Sequence, residues 1–512
     1  MLLLLWPDHS QWGVQVFDTF RALDYLLTRN DVDPGRIGVA GLCQGSEQTW
    51  LAAALEDRFQ IAVPVCGTTT FTDWARMPGY LGVHLSSSDP YVRNVLLFTD
   101  WPEIGACIAP RPVYIASNSG DNWWPEAGYN KVVSALEKVY ALYDKPERFE
   151  HLHDLRSHSM TPYIKELAPW IDLHLKSLPA DIATLPEPCG EPAMDADLNP
   201  MHYLQGRILQ KAKALPTTFS SRAAWDQYSN STVKWLRRAC LLDEMQPGEI
   251  RSDSLIETEG LVMERIAIEQ DEGLKLVVMA YKKAPAKKGP HPAIIVSHDI
   301  EQSATCHAIM EGVRALAEDG YFVIVPEHAS MEGSSPRLAE NVVSLYGAGD
   351  VTGMSPMVMR VWDNLAAFEV IRNRKDVDKT GIVGLGIGGV DAAITSALNK
   401  ELAAFAALGA ITVLDWLEQM PPDEYMIMPY LPDIIETTDW QYIYSMTAPR
   451  PLLLAETLNR AQWPEEGYKR VRSMAEDIYW LHDASSTLSL VTIDKSPWLT
   501  DGIRKWLRVN LQ

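Results

Sequence analysis

The chain has 512 residues, which is enough for two or three domains, and its content of 47% hydrophobic and 22% charged residues is typical of a globular protein. Its formal net charge is −22 and its pI is about 5.0. This balance argues against a nucleic-acid partner, because binding phosphates needs clustered Lys and Arg.

The start of the chain as given is not expected to be a targeting signal. Residues 1–6 are apolar but too short for a signal-peptide core, and no apolar run approaches the ~20 residues of a membrane span. We therefore expect a cytoplasmic protein, or an exported one if its natural start lies upstream. The six cysteines are irregularly spaced without a C-x-x-C motif, so neither a disulfide framework, a zinc site nor any other metal or cofactor is expected.

The first 178 residues predict helices alternating with short strands. An amphipathic helix at Phe17–Thr28 is followed by an apolar strand at Arg36–Ala40 and a sharp turn. A second strand is predicted at Val113–Ala116, and a last helix at Tyr163–Leu175. Buried strands alternating with helices indicate a mostly parallel sheet flanked by helices.

Several segments recur further along the chain, which predicts two related units covering about 14–176 and 359–512. The separation is 339 residues for two of them and 345 for a third. The pairs are Ala109–Pro112 with Ala448–Pro451, Trp124–Tyr129 with Trp463–Tyr468, and Asp31–Asp33 with Asp376–Asp378. The corresponding helix and strands of the second copy are predicted at Val361–Arg372, Gly381–Leu385 and Leu452–Ala455.

The second copy has a front half that the first copy lacks. It comprises three predicted strands and a helix, at Leu274–Tyr281, Ala293–Ser297, Tyr321–Pro326 and Ala308–Asp319. Either the chain continues a longer protein, or other segments complete the first sheet. Prolines mark a linker at residues 179–220, and a helix at Arg222–Leu242 leads into the second unit. The predicted domains are therefore residues 1–178 and 221–512.

The turn after the first strand is Gly41-Leu42-Cys43-Gln44-Gly45, a G-x-S-x-G nucleophile elbow with Cys in place of Ser. Such an elbow requires an acid and then a histidine further along the chain. Asp121 follows the strand at Val113–Ala116, and His158 precedes the last helix. We expect His158 to take the thiol proton, Asp121 to orient the imidazole and the Gln44 N–H to bind the oxyanion.

Other readings of these residues stay open. Cys43 could be a buried apolar residue, Asp121 a turn residue and His158 a surface residue, while Ser46 is a fallback nucleophile. The neighbouring Trp123 and Trp124 predict a floor for a sugar or aryl group. Trp124 has a structural alternative because Trp463 recurs at its place.

The first unit resembles the acetyl-xylan-esterase and cephalosporin-deacetylase-like branch of the α/β-hydrolases. The resemblance is carried by Asp31–Pro34, the elbow at Cys43, Ala62–Cys66, Ala109–Pro112, Asp121 with Pro125, and His158. Those enzymes normally carry Ser at the elbow, and the Cys resembles the Cys–Asp–His arrangement of dienelactone hydrolases. The resemblance implies tandem α/β-hydrolase units, of which the first lacks its N-terminal strands.

The second unit is predicted to be catalytically inactive. Its elbow is predicted as Gly386–Val390, with Gly388 at the nucleophile position, Arg460 at the position of the acid and the histidine position near Asp494. His298-Asp299 stands where the resemblance implies His-Gly at the oxyanion hole, so a negative charge would lie where an oxyanion forms.

Two functions follow from the sequence. The first is hydrolysis of a small ester, thioester or lactone, with a carbohydrate-linked acyl group as one option, through an acyl-Cys43 intermediate. The second is a non-catalytic protein that binds carbohydrate or a protein partner, or a fragment of a longer esterase. The expected ligand is a small-molecule ester, and a homo-oligomer is compatible with the sequence.

Overall fold

The structure is a computed structural model. It describes residues 11–75, 95–121, 123–175, 210, 214–243, 245, 248–258, 260–269, 275–283, 290–299, 307–328, 354–409, 431, 434–457, 465–493 and 498–512. The chain divides into two compact units, one within residues 8–199 and the other within residues 200–512. Most of the predicted linker lies outside the described residues. Its last part is described, and Phe219 packs there against Trp225 and Tyr442 of the second unit.

The first unit contains a four-stranded parallel sheet in the order β1-β2-β3-β4. The strands are Val39–Leu42, Ala62–Val65, Val113–Asn118 and Phe149–Asp154. Strands β2 and β3 are buried along their whole length, as expected for central parallel strands with helices on both faces.

Within the described residues of this unit, six α-helices accompany the sheet. They are Gln11–Thr28, Gln44–Leu55, Phe71–Ala75, Trp101–Ala106, Glu126–Leu142 and Ile164–Leu175. One core cluster contains Trp50, Leu136 and Tyr140, and another contains Tyr163 and Trp170. The predicted helices at the start and end of the unit are confirmed, and the strands begin or end within about three residues of their predicted bounds.

The second unit contains a nine-stranded sheet in the order β13-β12-β11-β10-β8-β9-β7-β6-β5. The strands are β5 Glu249–Thr258, β6 Leu261–Glu269, β7 Lys275–Lys283, β8 His291–Ser297, β9 Phe322–Glu327, β10 Val377–Leu385, β11 Ala404–Leu408, β12 Leu452–Thr457 and β13 Leu488–Ile493. Strands β8 to β13 pair in parallel, while β5, β6, β7 and β9 pair antiparallel in that order. The strands predicted for the front half are confirmed, and the β5–β6 hairpin is an addition to the prediction.

The helices of the second unit are Arg222–Ala239, His307–Glu318, Pro356–Arg372, Ile387–Leu398, Ile434–Thr437, Trp440–Ser445, Glu465–Leu481 and Asp501–Leu511. Among the described residues, β10 pairs with β8 on one side and β11 on the other, whereas β1 pairs with β2 alone. None of the helices within the described ranges is both long and apolar enough to cross a bilayer.

An arginine after a cis-proline closes the end of the elbow helix in each unit. The Ala109–Pro110 and Ala448–Pro449 bonds are both cis. Arg111 donates to the carbonyl oxygens of Ala53, Glu56 and Phe59 at 2.5–3.0 Å. Arg450 makes the same contacts to Ser396, Asn399 and Leu402 at 2.6–3.1 Å. Ala53 and Ser396 lie in the last turn of these helices, where backbone carbonyls lack intrahelical donors.

We expect Arg111→Met to destabilise the first unit by about 2–4 kcal/mol, because three carbonyls lose a charged donor at a partly buried site. Arg450→Met is the matched change in the second unit. Hydrogen exchange measured by mass spectrometry should show each variant lowering protection in its own unit. Unchanged exchange in helix Gln44–Leu55 of Arg111→Met would contradict the prediction.

Candidate active site

Cys43 lies between the end of β1 and the start of helix Gln44–Leu55, with φ 59° and ψ −119°. A non-glycine residue rarely adopts this conformation, and it is characteristic of a nucleophile elbow. The turn depends on close backbone contacts, since a Cβ on Gly41 would lie 1.9 Å from the Gly45 carbonyl oxygen. Glycine is therefore required at position 41, and Cys43 is held half-buried at the end of the strand.

The elbow presents a backbone donor next to Cys43. Among the described residues, the N–H of Gln44 has no protein acceptor, while the Cys43 carbonyl accepts from the Ser46 and Glu47 N–H groups. A donor at the N-terminus of a helix, beside the attacking atom, suits an oxyanion. Ser46, the fallback nucleophile, is completely buried in the helix and faces away from solvent.

Asp121 and His158 are in direct contact. Asp121 lies three residues beyond β3, and its Oδ2 is 2.5 Å from Nδ1 of His158. The other carboxylate oxygen, Oδ1, accepts the N–H of Trp123 at 3.0 Å. The Asp121 side chain is only 6% exposed and that of His158 is 33% exposed. A buried acid thus holds one nitrogen of an imidazole that is about one-third exposed to solvent.

The loops that carry the acid and the histidine are joined by Asn118. Its Oδ1 accepts the N–H of Gly120 at 3.0 Å and the N–H of Arg156 at 3.1 Å. Arg156 in turn pairs with both carboxylate oxygens of Glu166 at 3.0 and 2.9 Å. These contacts fix the two loops relative to each other at the end of the sheet.

Cys43, Asp121 and His158 all follow the carboxyl ends of parallel strands, at one edge of the sheet. Strands β1 and β3 are two positions apart, so about 10 Å separates their ends. A histidine on the loop after β4 can bridge such a gap from above the sheet, which is the placement of the histidine in the α/β-hydrolase fold. The structure therefore brings the acid and histidine together at the edge of the sheet where the elbow also lies.

The two neighbouring tryptophans differ in environment. Trp123 is 45% exposed, with its ring centroid 6.0 Å from that of His158. Trp124 is 7% exposed and stacks on Trp74 at 5.7 Å. Of the two predicted substrate contacts, Trp123 therefore lies at an open position beside the histidine, and Trp124 lies in the protein interior.

In the second unit, the residue at the elbow is Gly386, not Gly388 as predicted. Gly386 has φ 55° and ψ −123°, and its N–H donates to Leu408 just as the N–H of Cys43 donates to Val65. A Cβ on Gly384 would lie 2.2 Å from the Gly388 oxygen, so Gly388 takes the part that Gly45 takes in the first unit. The second unit has two fewer residues between its Asp-Val-Asp segment and its elbow than the first unit has. An alignment that starts from this segment therefore places the elbow two residues too late.

Asp299 fills the place where a nucleophile would stand. A Cβ on Gly386 would lie 2.0 Å from Oδ2 of Asp299. Oδ1 of the same carboxylate accepts the N–H of Ile387 at 3.3 Å. Ile387 corresponds to Gln44, so the oxyanion donor of this unit is occupied by the protein's own carboxylate. Arg460 and Asp494, the predicted replacements for the acid and histidine, lie outside the described residues.

A parallel sheet with helices on both faces and a strained strand–turn–helix elbow is the α/β-hydrolase fold. A sequence profile of the dienelactone hydrolase family matches residues 278–413, within the second unit.

Among curated proteins, the "Putative hydrolase YtaP" of Bacillus subtilis is 28% identical over 170 residues, 32% of this chain and 54% of the relative. The "Putative carboxymethylenebutenolidase" of Methylorubrum extorquens is 27% identical over 190 residues, 37% of this chain and 60% of the relative. The chain thus spans little more than half the length of the curated relatives it matches. Among solved structures, a "putative acetyl xylan esterase" from Bacteroides fragilis has a TM-score of 0.48 at 13% identity, covering 62% of this chain and 92% of that chain.

Proposed function

We propose that the first unit hydrolyses carboxylic esters through an acyl-Cys43 intermediate, and that the second unit is a related, non-catalytic copy. The 2.5 Å contact between Asp121 and His158, at the same edge of the sheet as the elbow at Cys43, carries this proposal. An ester hydrolase also agrees with the names of the curated relatives. The dienelactone hydrolase profile matches the second unit, so it supports the common ancestry of the two copies rather than the activity of the first.

The proposed reaction begins with proton transfer from the Cys43 thiol to Nε2 of His158, whose Nδ1–H is held by Asp121. The thiolate attacks the ester carbonyl, and the Gln44 N–H stabilises the oxyanion. The imidazolium then protonates the departing alcohol, leaving a thioester on Cys43. A water molecule, deprotonated by His158, releases the acid and restores the thiol.

We propose small acyl groups, such as acetyl, as substrates, with Trp123 as a platform for the alcohol part. An exposed indole beside the histidine suits the apolar face of a sugar or an aryl ring. Trp123→Ala should then raise KM for aryl or sugar esters more than for short alkyl esters.

The second candidate is binding without turnover. In the second unit, the loop that carries Asp299 follows β8, the strand that pairs with the elbow strand β10. The described residues of the first unit contain no equivalent loop, and this favours the binding protein. That loop is where a second oxyanion donor would be expected, and losing one donor commonly lowers the rate about 10²–10³-fold.

The deciding experiment incubates the full chain with p-nitrophenyl acetate and records both p-nitrophenol release and intact mass. We expect one acetyl adduct on Cys43 that is lost in Cys43→Ala and kept in Cys107→Ala, which removes an exposed thiol. A stable adduct without turnover would support the binding protein. No adduct and no turnover, with acetyl and aryl esters alike, would refute the hydrolase.

A further inference from the structure

Cys66, a second cysteine, directly follows β2, the strand that pairs with β1, just as Cys43 directly follows β1. The β1–β2 register pairs Leu42 with Val65, and the N–H of Cys43 donates to the Val65 carbonyl at 2.9 Å. In a parallel ladder this bond places Cys43 across from the residue after Val65, which is Cys66. Adjacent strands lie about 4.8 Å apart, within the range of about 4.4–6.8 Å between Cα atoms that a disulfide spans.

Both cysteines occupy backbone positions that favour glycine. Cys43 has φ 59° and Cys66 has φ 47°. The corresponding pair in the second unit is Gly386 with φ 55° and Gly409 with φ 103°. The correspondence is fixed by hydrogen bonds, since the N–H of Cys66 donates to Ala116 and that of Gly409 to Ala455. A side chain at each position is disfavoured relative to glycine, and the first unit places a thiol at both.

The two thiols have different surroundings, and these suit different roles. Cys43 suits the role of the thiol that the peroxide oxidises, and Cys66 that of the resolving thiol. Cys43 is half-buried at the start of helix Gln44–Leu55, whose positive end favours a thiolate. Cys66 is fully buried, and its Sγ lies 3.4 Å from the Tyr163 hydroxyl. An oxidant from solvent therefore meets Cys43 first, and Cys66 is the neighbouring thiol that can resolve the oxidised form.

We propose that Cys43 and Cys66 form a reversible disulfide when the protein meets a peroxide. The Cys43 thiolate attacks one peroxide oxygen; the S–O bond forms, the O–O bond breaks, and the released hydroxide takes up a proton as water. The Cys66 sulfur then attacks the sulfenic sulfur; the S–S bond forms, the S–O bond breaks, and the Cys66 proton leaves with the hydroxide as a second water. Two thiols are oxidised and one peroxide is reduced.

This modification involves the nucleophile of the proposed function, and it would switch that site off, but it requires only the two thiols. Oxidation protects Cys43 from the irreversible sulfinic and sulfonic states, because the disulfide is recovered by a thiol reductant.

The test treats the reduced full chain with hydrogen peroxide, blocks remaining thiols with iodoacetamide, and maps the peptides. We expect loss of two hydrogen atoms in intact mass and a linked peptide pair joining Cys43 to Cys66 that dithiothreitol separates. If ester hydrolysis is present, it should fall to background and return with dithiothreitol. The linked peptide is read by mass alone, so the disulfide can be found or excluded even if no ester is hydrolysed.

Cys66→Gly is the variant of choice, because glycine is the residue at this place in the second unit. In this variant, and in Cys66→Ala, peroxide should drive Cys43 to sulfinic acid, which dithiothreitol does not reverse. Cys107→Ala should still form the disulfide. The proposal is overturned if wild-type protein yields no Cys43–Cys66 peptide while Cys43 becomes sulfinic, or if Cys43 links to another cysteine instead.

Discussion

Asp121→Asn should lower kcat for an activated ester by about 10³–10⁴-fold and leave KM nearly unchanged. Oδ2 of Asp121 holds Nδ1 of His158, while Oδ1 is held by the Trp123 N–H, which fixes the orientation of the carboxylate. With the amide nitrogen in the place of Oδ2, Nδ1 must accept rather than donate. The ring proton then moves to Nε2, and the imidazole cannot take the proton of Cys43.

The control for this variant is Asp57→Asn, which makes the same chemical change at a carboxylate that is 97% exposed. We expect Asp57→Asn to match the wild type in both kcat and KM. Stopped-flow measurement of the burst should place the defect of Asp121→Asn in acylation. Near-normal kcat in Asp121→Asn would mean that the Asp121–His158 contact serves the loop structure rather than the reaction.

The sequence was sufficient to predict that Asp121 and His158 meet at the strand ends of the first unit. The glycines around Cys43 require a tight turn, and a chain order of nucleophile, acid and histidine limits where the partners lie. Asp121 and His158 were singled out on this basis, and the structure places them in contact. Short apolar segments also predicted the central strands, because strands buried on both faces are nearly continuous apolar runs.

The hairpin of β5 and β6 could not be predicted in the same way. Strand β5 consists of Glu249–Thr258, and its side chains are largely exposed, so alternation between apolar and polar residues is weak. Strand β6 pairs in turn with β7 from Leu261 to Glu269, so the hairpin joins the sheet through contacts with another strand. Such tertiary context is absent from a local pattern.

The position of the elbow residue in the second unit could not be predicted from the sequence either. Four glycines stand at positions 384, 386, 388 and 389, and composition cannot tell which one takes the strained conformation. Backbone torsions identify Gly386. The contact of Asp299 with this residue joins segments almost ninety positions apart, so no local motif indicates that the carboxylate closes the site.

Arg360→Met should destabilise the second unit by about 3–5 kcal/mol, because it leaves a buried carboxylate without its cation. Nε of Arg360 lies 2.5 Å from Oδ2 of Asp391, and both side chains are completely buried. Oδ1 of Asp391 accepts from Ser297 at 2.5 Å and from Asn364 at 2.9 Å. Burial raises the pKa of Asp391 even with Arg360 present.

Removing the arginine should raise this pKa further, so that the folded variant binds a proton the unfolded chain releases. Its stability deficit should therefore shrink as the pH falls from 8 to 5. Adding Asp391→Asn removes the charge while keeping acceptors for Ser297 and Asn364, and should recover part of the loss. Arg372→Met, on the exposed side of the same helix and paired with Glu369, should change stability by less than about 0.5 kcal/mol.

Hydrogen exchange in β10 and helix Ile387–Leu398 measures the stability of the second unit alone. A single unfolding curve of the whole chain would combine the unfolding of both units. Arg360 also donates to the His298 carbonyl, directly before Asp299. If the buried ion pair holds the loop that fills the Gly386 site, exchange at Ile387 should rise more than exchange at the distant β5–β6 hairpin. Equal changes at both places would mean that Arg360 stabilises the unit as a whole, without a particular part in keeping Asp299 against the elbow.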